Sequence, residues 1–241
     1  MIRDWRFLVL MELLFIIFYL ACSDNPKPSP PVIEEETVTE TTKEETAPPL
    51  PPPIQYDYDT SQWSDLQLLD STIIIDLRYA TTDNFVKEKM YDCPRCFLRP
   101  PAAKALVALH REFQQQGLGI KVFDCYRPRP IQQKLWDKVP NASYVTPPQK
   151  GSMHNRGLAV DLTLVDQSGK ELEMGTAFDF FGKRAHHTFT DLPKTVLDNR
   201  KLLKERLLAY RFKSIRTEWW HYSYTVDRYP LSDMLWDCPQ Q

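Results

Sequence analysis

Two histidines and two carboxylates stand in this chain at spacings suited to metal-assisted hydrolysis. The run from Gly151 to Leu162 (GSMHNRGLAVDL) holds His154 and Asp161, and Glu218-Trp219-Trp220-His221 adds a second histidine with a glutamate three positions before it. His154, Asp161 and His221 supply three ligands. That is the ligand count of a catalytic zinc, which keeps a fourth position for water, whereas a structural zinc is usually closed by four ligands rich in Cys. Glu218 is then the candidate general base. Asp161 supports this reading independently, because it interrupts an apolar run: an unpaired buried carboxylate is costly, and a bound cation compensates it.

Positioning these groups requires a particular set of elements. Residues 158–165 read as a strand in which Ala159, Asp161 and Thr163 share one face while Val160, Leu162 and Leu164 share the other. Residues 214–225 read as a final strand, but on a regular strand Glu218 and His221, three apart, point to opposite faces. The chain there must bend, bulge or enter the strand only at His221. Further strands are expected at 71–79, rich in β-branched residues, and at 119–125. Helices are expected at 100–117, opened by two prolines and closed by Gly117, at 130–139 and at 193–210. Gly169 marks a hairpin turn, with the segment to Met174 pairing back. Strands and helices mix without regular βαβ alternation, which predicts an α+β fold: one domain with a central, mainly antiparallel sheet flanked by helices.

The remainder of the chain bounds the setting. Residues 1–21 carry Arg3 and Arg6 and then a short apolar run ending in Leu20-Ala21-Cys22, which reads as a lipoprotein signal peptide with Cys22 as the lipidated residue. An uncleaved membrane anchor is the alternative. Residues 22–55, dominated by Pro, Thr and Glu, have the composition of a disordered tether, and 56–241 form the catalytic domain. A net charge of −2 and the lack of a basic stripe argue against a nucleic-acid partner. Apart from Cys22, four cysteines remain: Cys93, Cys96, Cys125 and Cys238. They allow two disulfides in three pairings, and Cys93-Pro94-Arg95-Cys96 is alternatively half of a zinc ribbon. His110, His186 and His187 have no partner at motif spacing and are read as surface or supporting residues.

Four separated motifs also resemble a known family. Ser-x-His-x-x-Gly-x-Ala-x-Asp from Ser152 to Asp161 and Glu-x-x-His from Glu218 to His221 are two of them. Asp124-Cys125-Tyr126-Arg127-Pro128 and Met174-Gly175-Thr176-Ala177-Phe178-Asp179 are the others, so the resemblance runs from about Asp70 to the C-terminus. Together they resemble the zinc D-alanyl-D-alanine dipeptidases of the VanX type, in peptidase family M15. The resemblance implies a Hedgehog/D-Ala-D-Ala peptidase-like fold, one Zn2+ per chain and a free dipeptide substrate. It places Arg127 against the oxyanion of the reaction, Asp179 on the substrate ammonium and Ser152 on the substrate near the metal. Cell-wall peptide turnover or glycopeptide resistance is the implied setting, and the lipid anchor places the enzyme in the cell envelope, periplasmic or outer-membrane associated. A zinc D,D- or L,D-carboxypeptidase acting on peptidoglycan stems is the nearest alternative, and an inactive envelope-binding module is the alternative from another class.

Overall fold

The computed structural model describes residues 55–238. The expected signal peptide, Cys22 and the tether up to residue 54 lie outside the described residues. Along the chain come β1 (Ser64–Asp65), α1 (Leu66–Leu69), β2 (Ile74–Ile75), β3 (Phe97–Leu98), α2 (Pro100–Gln114), β4 (Leu118–Asp124), α3 (Arg129–Lys138), β5 (Ala159–Asp166), α4 (Lys194–Ala209), β6 (Phe212–Ser214) and β7 (His221–Tyr224). Among the described residues, no helix is long and apolar enough to cross a membrane.

Alternation along β5 makes it the middle of a five-stranded sheet ordered β2-β4-β5-β7-β6. Only β2 and β4 pair in parallel; the other three pairings are antiparallel, as expected for α+β. Val160, Leu162 and Leu164 are fully buried on one face, and the Leu106, Leu109 and Phe113 stripe of α2 is buried in the same core. Prolines at the first turn of α2 cost no hydrogen bond, since those N–H groups have no helical partner. His110, on α2, is buried and structural: its Nδ1 accepts the Ile120 N–H at 3.1 Å and its Nε2 lies 2.9 Å from the Thr72 hydroxyl, which ties helix to sheet.

Two expected strands are cut short, each for a local reason. Residues 71–79 pair only at Ile74–Ile75, against Lys121 and Val122. Just beyond, β4 bulges between Val122 and Asp124, so the ladder ends and the chain turns through Arg78–Ala80 instead. Residues 214–225 are not one strand. The chain reverses there, with β6 and β7 pairing Phe212 to Tyr224 and Ser214 to Tyr222. Glu218 lies in the connecting loop and His221 opens β7, which resolves the three-residue spacing. The hairpin at Gly169 is present, with φ of 82° at the glycine and the Leu172 N–H donating to the Leu164 carbonyl at 2.9 Å.

The cysteines pair as Cys93–Cys238 and Cys96–Cys125, so Cys93 and Cys96 do not form half a zinc ribbon. The first bridge pins a C-terminal strap against the body. Along it the Tyr229 carbonyl accepts from Arg156, the Ser232 N–H donates to the Asn155 carbonyl, the Ser232 carbonyl accepts the Arg129 N–H, and the Met234 carbonyl accepts the Tyr126 hydroxyl.

Candidate active site

Register across the sheet assembles the site. Asp161 on β5 faces His221 on β7 and, past the bulge, Asp124 on β4, so three chemically active side chains form a row over three strands. His154 comes from a 3-10 turn, His154–Arg156, just before β5. The turn stops at Gly157 with φ of 70°, and a Cβ there would lie 2.4 Å from the Trp63 ring. Only glycine fits both constraints. Asn155 within the turn is fully buried: its side-chain carbonyl accepts the Ser152 N–H at 2.7 Å and the Ser152 hydroxyl at 3.1 Å, and its amide donates to the Arg127 carbonyl at 2.7 Å. The Arg127 N–H in turn donates to the His154 carbonyl at 3.1 Å, so the two loops are laced together.

His154, Asp161 and His221 fit a metal. His154 Nε2 lies 3.1 Å from His221 Nδ1 and 3.4 Å from Asp161 Oδ2, while His221 Nδ1 lies 2.9 Å from Asp161 Oδ1. Zinc bonds of about 2.0–2.1 Å in tetrahedral geometry imply ligand separations of roughly 3.3 Å, close to this triangle. The far nitrogens are already oriented: His154 Nδ1 lies 2.7 Å from the Cys125 carbonyl and His221 Nε2 lies 3.1 Å from the Ser223 hydroxyl. Such partners fix which ring nitrogen faces an ion. Burial alone would raise the Asp161 carboxyl, but the two imidazoles outweigh it and hold it well below the usual carboxylate range.

The remaining expected residues line the same cavity of about 340 Å³: Ser152, Arg127, Asp179 and Glu218. Burial raises the Glu218 carboxyl above its ordinary value, and the charge of Asp161 adds to this, although His221, His154 and Arg127 oppose it. A carboxylate so raised is a better proton acceptor. Arg127 is buried, its Nε donates to Asp124 Oδ2 at 3.1 Å and its Nη1 to Gln132 Oε1 at 3.0 Å, and its guanidinium sits 4.9 Å from the Tyr79 ring. Asp124 is itself held by the Tyr91 hydroxyl at 3.0 Å. Asp179 accepts the Tyr79 hydroxyl at 2.9 Å, and burial, then the nearby Asp161, push its carboxyl well above the usual range. The more distant Arg127 charge opposes this only in part, and among the described residues Asp179 forms no salt bridge.

A family profile described as D-Ala-D-Ala dipeptidase, of the M15 peptidases, matches residues 59–237. This chain belongs to that family. Among the relatives of this M15 peptidase, the D-alanyl-D-alanine dipeptidase of Escherichia coli (strain K12) is 35% identical over 181 residues, covering 75% of this chain and 94% of the relative. The D-alanyl-D-alanine dipeptidase of Enterococcus faecalis (strain ATCC 700802 / V583) is 30% identical over 179 residues, covering 64% and 87%. A zinc(II) complex of the vancomycin-resistance D,D-pentapeptidase VanY matches at 17% identity with a TM-score of 0.37, over 54% of this chain and 73% of that one.

Several residues around the cavity carry no isolated signal in the sequence. Tyr79, which aims Asp179, sits in a segment that reads as strand. Lys150 and Arg156 line the cavity, and among the described residues neither pairs with a carboxylate. Phe181 bridges Phe85 and Tyr144 at ring distances of 5.0 and 4.9 Å, forming an aromatic rim. Asn155 could have been found, because an asparagine between a ligand histidine and a turn glycine is well placed to cap the loop.

Proposed function

We propose that this protein hydrolyses free D-Ala-D-Ala to two D-Ala with one zinc held by His154, Asp161 and His221. The observation that carries the reading is the single cavity uniting that ligand triangle with Glu218, Arg127 and Asp179, which forms no salt bridge among the described residues. Zinc, when bound, polarises a carbonyl and lowers the pKa of water toward neutrality. Glu218 takes the proton of the attacking water and delivers it to the leaving amine. Arg127 faces the charge developing on the carbonyl oxygen. Three of its five N–H groups are committed to Asp124 and Gln132, so its position is set before substrate arrives.

Asp179 holds the substrate ammonium, with the Tyr79 hydroxyl fixing its orientation. Ser152 hydrogen-bonds the substrate beside the metal site, and Lys150 and Arg156 supply the positive charge for its carboxylate. Asp179 is half-buried at the cavity wall, and an uncharged amide in place of the ammonium leaves it without a partner once the substrate covers it, which favours dipeptides over longer chains. Arg127→Ala is expected to lower kcat by about 100-fold or more, with KM little changed, if its contact forms chiefly in the transition state. Steady-state kinetics on D-Ala-D-Ala check this. An effect confined to KM reassigns Arg127 to substrate binding.

The same reading places the enzyme in the cell envelope, tethered through a lipid on Cys22. The motif Leu20-Ala21-Cys22 after the apolar run supports it. Cells fed a labelled fatty acid should incorporate it into the wild-type protein and not into Cys22→Ser, which should leave the membrane fraction. Equal labelling of both proteins removes the anchor assignment.

A further inference from the structure

Arg200 occupies a position that an aliphatic residue would fill at no electrostatic cost. On α4 the buried residues are Val196, Arg200, Leu203 and Leu207, one stripe at helical spacing with a guanidinium in the middle of it. Burying a cation is expensive unless something compensates it, and among the described residues Arg200 pairs with no carboxylate. Its partners are backbone carbonyls: Nε donates to Met174 at 2.7 Å, Nη2 to Arg184 at 3.0 Å and Nη1 to His186 at 3.4 Å. Those carbonyls belong to the two ends of one loop. Between them run Gly175, with φ of 81°, and Asp179, with φ of 57°, and few regular backbone hydrogen bonds span the segment.

The loop touches the reaction machinery at two places. Phe178 packs against Phe123 and Trp220 at ring distances of 5.1 and 5.6 Å, which leaves Asp179, the next residue, at the cavity wall. Thr176 accepts the Trp219 indole N–H at 2.8 Å, and Trp219 adjoins Glu218 and lies 5.9 Å from the Arg200 guanidinium. A single planar fork therefore closes the base of the loop and abuts the segment that carries the base.

We propose that Arg200 is a positioning residue that sets the substrate-ammonium anchor, acting through the backbone of residues 174–186 and not through any contact with substrate. The inference rests on the assignment of Asp179 to the ammonium. Lysine keeps the charge but reaches fewer carbonyls, because its ammonium is a point donor and not a fork. Arg200→Lys and Arg200→Gln are to be compared with the wild-type holoenzyme on D-Ala-D-Ala and its N-acetyl derivative, with metal content and amide hydrogen exchange measured alongside. Both variants are expected to keep one zinc per chain and kcat within about 3-fold. KM for the free dipeptide should rise about 10-fold or more, and the preference for it over the acetylated form should shrink. Faster exchange should be confined to residues 174–186, leaving α2 protected.

A purely structural role predicts a lower melting temperature with KM, preference and local exchange unchanged, and that result overturns the proposal. Failure of both variants to fold also overturns it, because Arg200 would then support the core and not one loop. If the wild type shows no preference for the free ammonium, the Asp179 assignment falls and this inference falls with it. A wild type that discriminates alongside variants that do so equally well removes the role of Arg200 alone.

Discussion

Replacing Glu218 with glutamine should leave a protein that binds one zinc and hydrolyses D-Ala-D-Ala between about 100-fold and 10,000-fold more slowly. That factor corresponds to about 3–5 kcal/mol of lost transition-state stabilisation, the range expected when a positioned proton carrier is removed and nothing else is disturbed. Glutamine preserves the size of the side chain in the loop between β6 and β7, and the ligand triangle of His154, Asp161 and His221 does not include Glu218. His154→Ala should behave oppositely. It removes one of three ligands, so zinc content itself should fall. Metal analysis beside single-turnover kinetics separates the two variants. Near-normal turnover in Glu218→Gln would mean that the proton carrier is another group, and full zinc occupancy in His154→Ala would dissolve the ligand assignment.

Acetylating the amino end of D-Ala-D-Ala should lower kcat/KM by roughly two to three orders of magnitude or more. The modification deletes the charge that compensates Asp179 and adds bulk at the same point. Asp179 is half-buried, and with substrate closing over it, leaving one partner of the ion pair alone costs about 3–5 kcal/mol, the range for a pair sealed from water. Asp179→Asn should reduce turnover of the free dipeptide and narrow the gap between the two substrates, because the amide keeps an acceptor for the Tyr79 hydroxyl but has no charge to strand. A wild-type enzyme that cleaves the acetylated dipeptide or a stem pentapeptide as fast as free D-Ala-D-Ala is a carboxypeptidase, and the dipeptidase proposal then gives way to that alternative.

The candidate site residues were legible because their types are improbable where they stand. Asp161 breaks an aliphatic strand, and the alternation of Val160, Leu162 and Leu164 already puts it on the opposite face. Helices α2, α3 and α4 were readable to within a few residues from their prolines and apolar stripes. The loop between β6 and β7 was not, because residues 212–224 hold neither glycine nor proline and are rich in aromatic and β-branched types, so nothing local marks the reversal. Non-local causes hid the rest. The end of β2 depends on a bulge in β4, and the role of Tyr79 depends on Asp179, a hundred residues later. The pairing of the cysteines likewise depends on the tertiary fold, which brings Cys93 to Cys238 across a separation of 145 residues.

The C-terminal strap has a consequence for the order in which the enzyme can be completed. Ser232 donates to the Asn155 carbonyl and accepts from the Arg129 N–H, and the bridge of Cys238 to Cys93 adds a covalent tie to these hydrogen bonds. A chain made from its N-terminus has every candidate ligand and the candidate base synthesised by His221, and Ser152 and Arg127 already lace the His154 loop, yet the braces that the strap adds through Asn155 and Arg156 wait for residues 229–238. Their final tie needs an oxidising compartment. The last braces on the His154 loop therefore arrive after the candidate catalytic residues have been synthesised, and the covalent one arrives only where the two thiols can be oxidised.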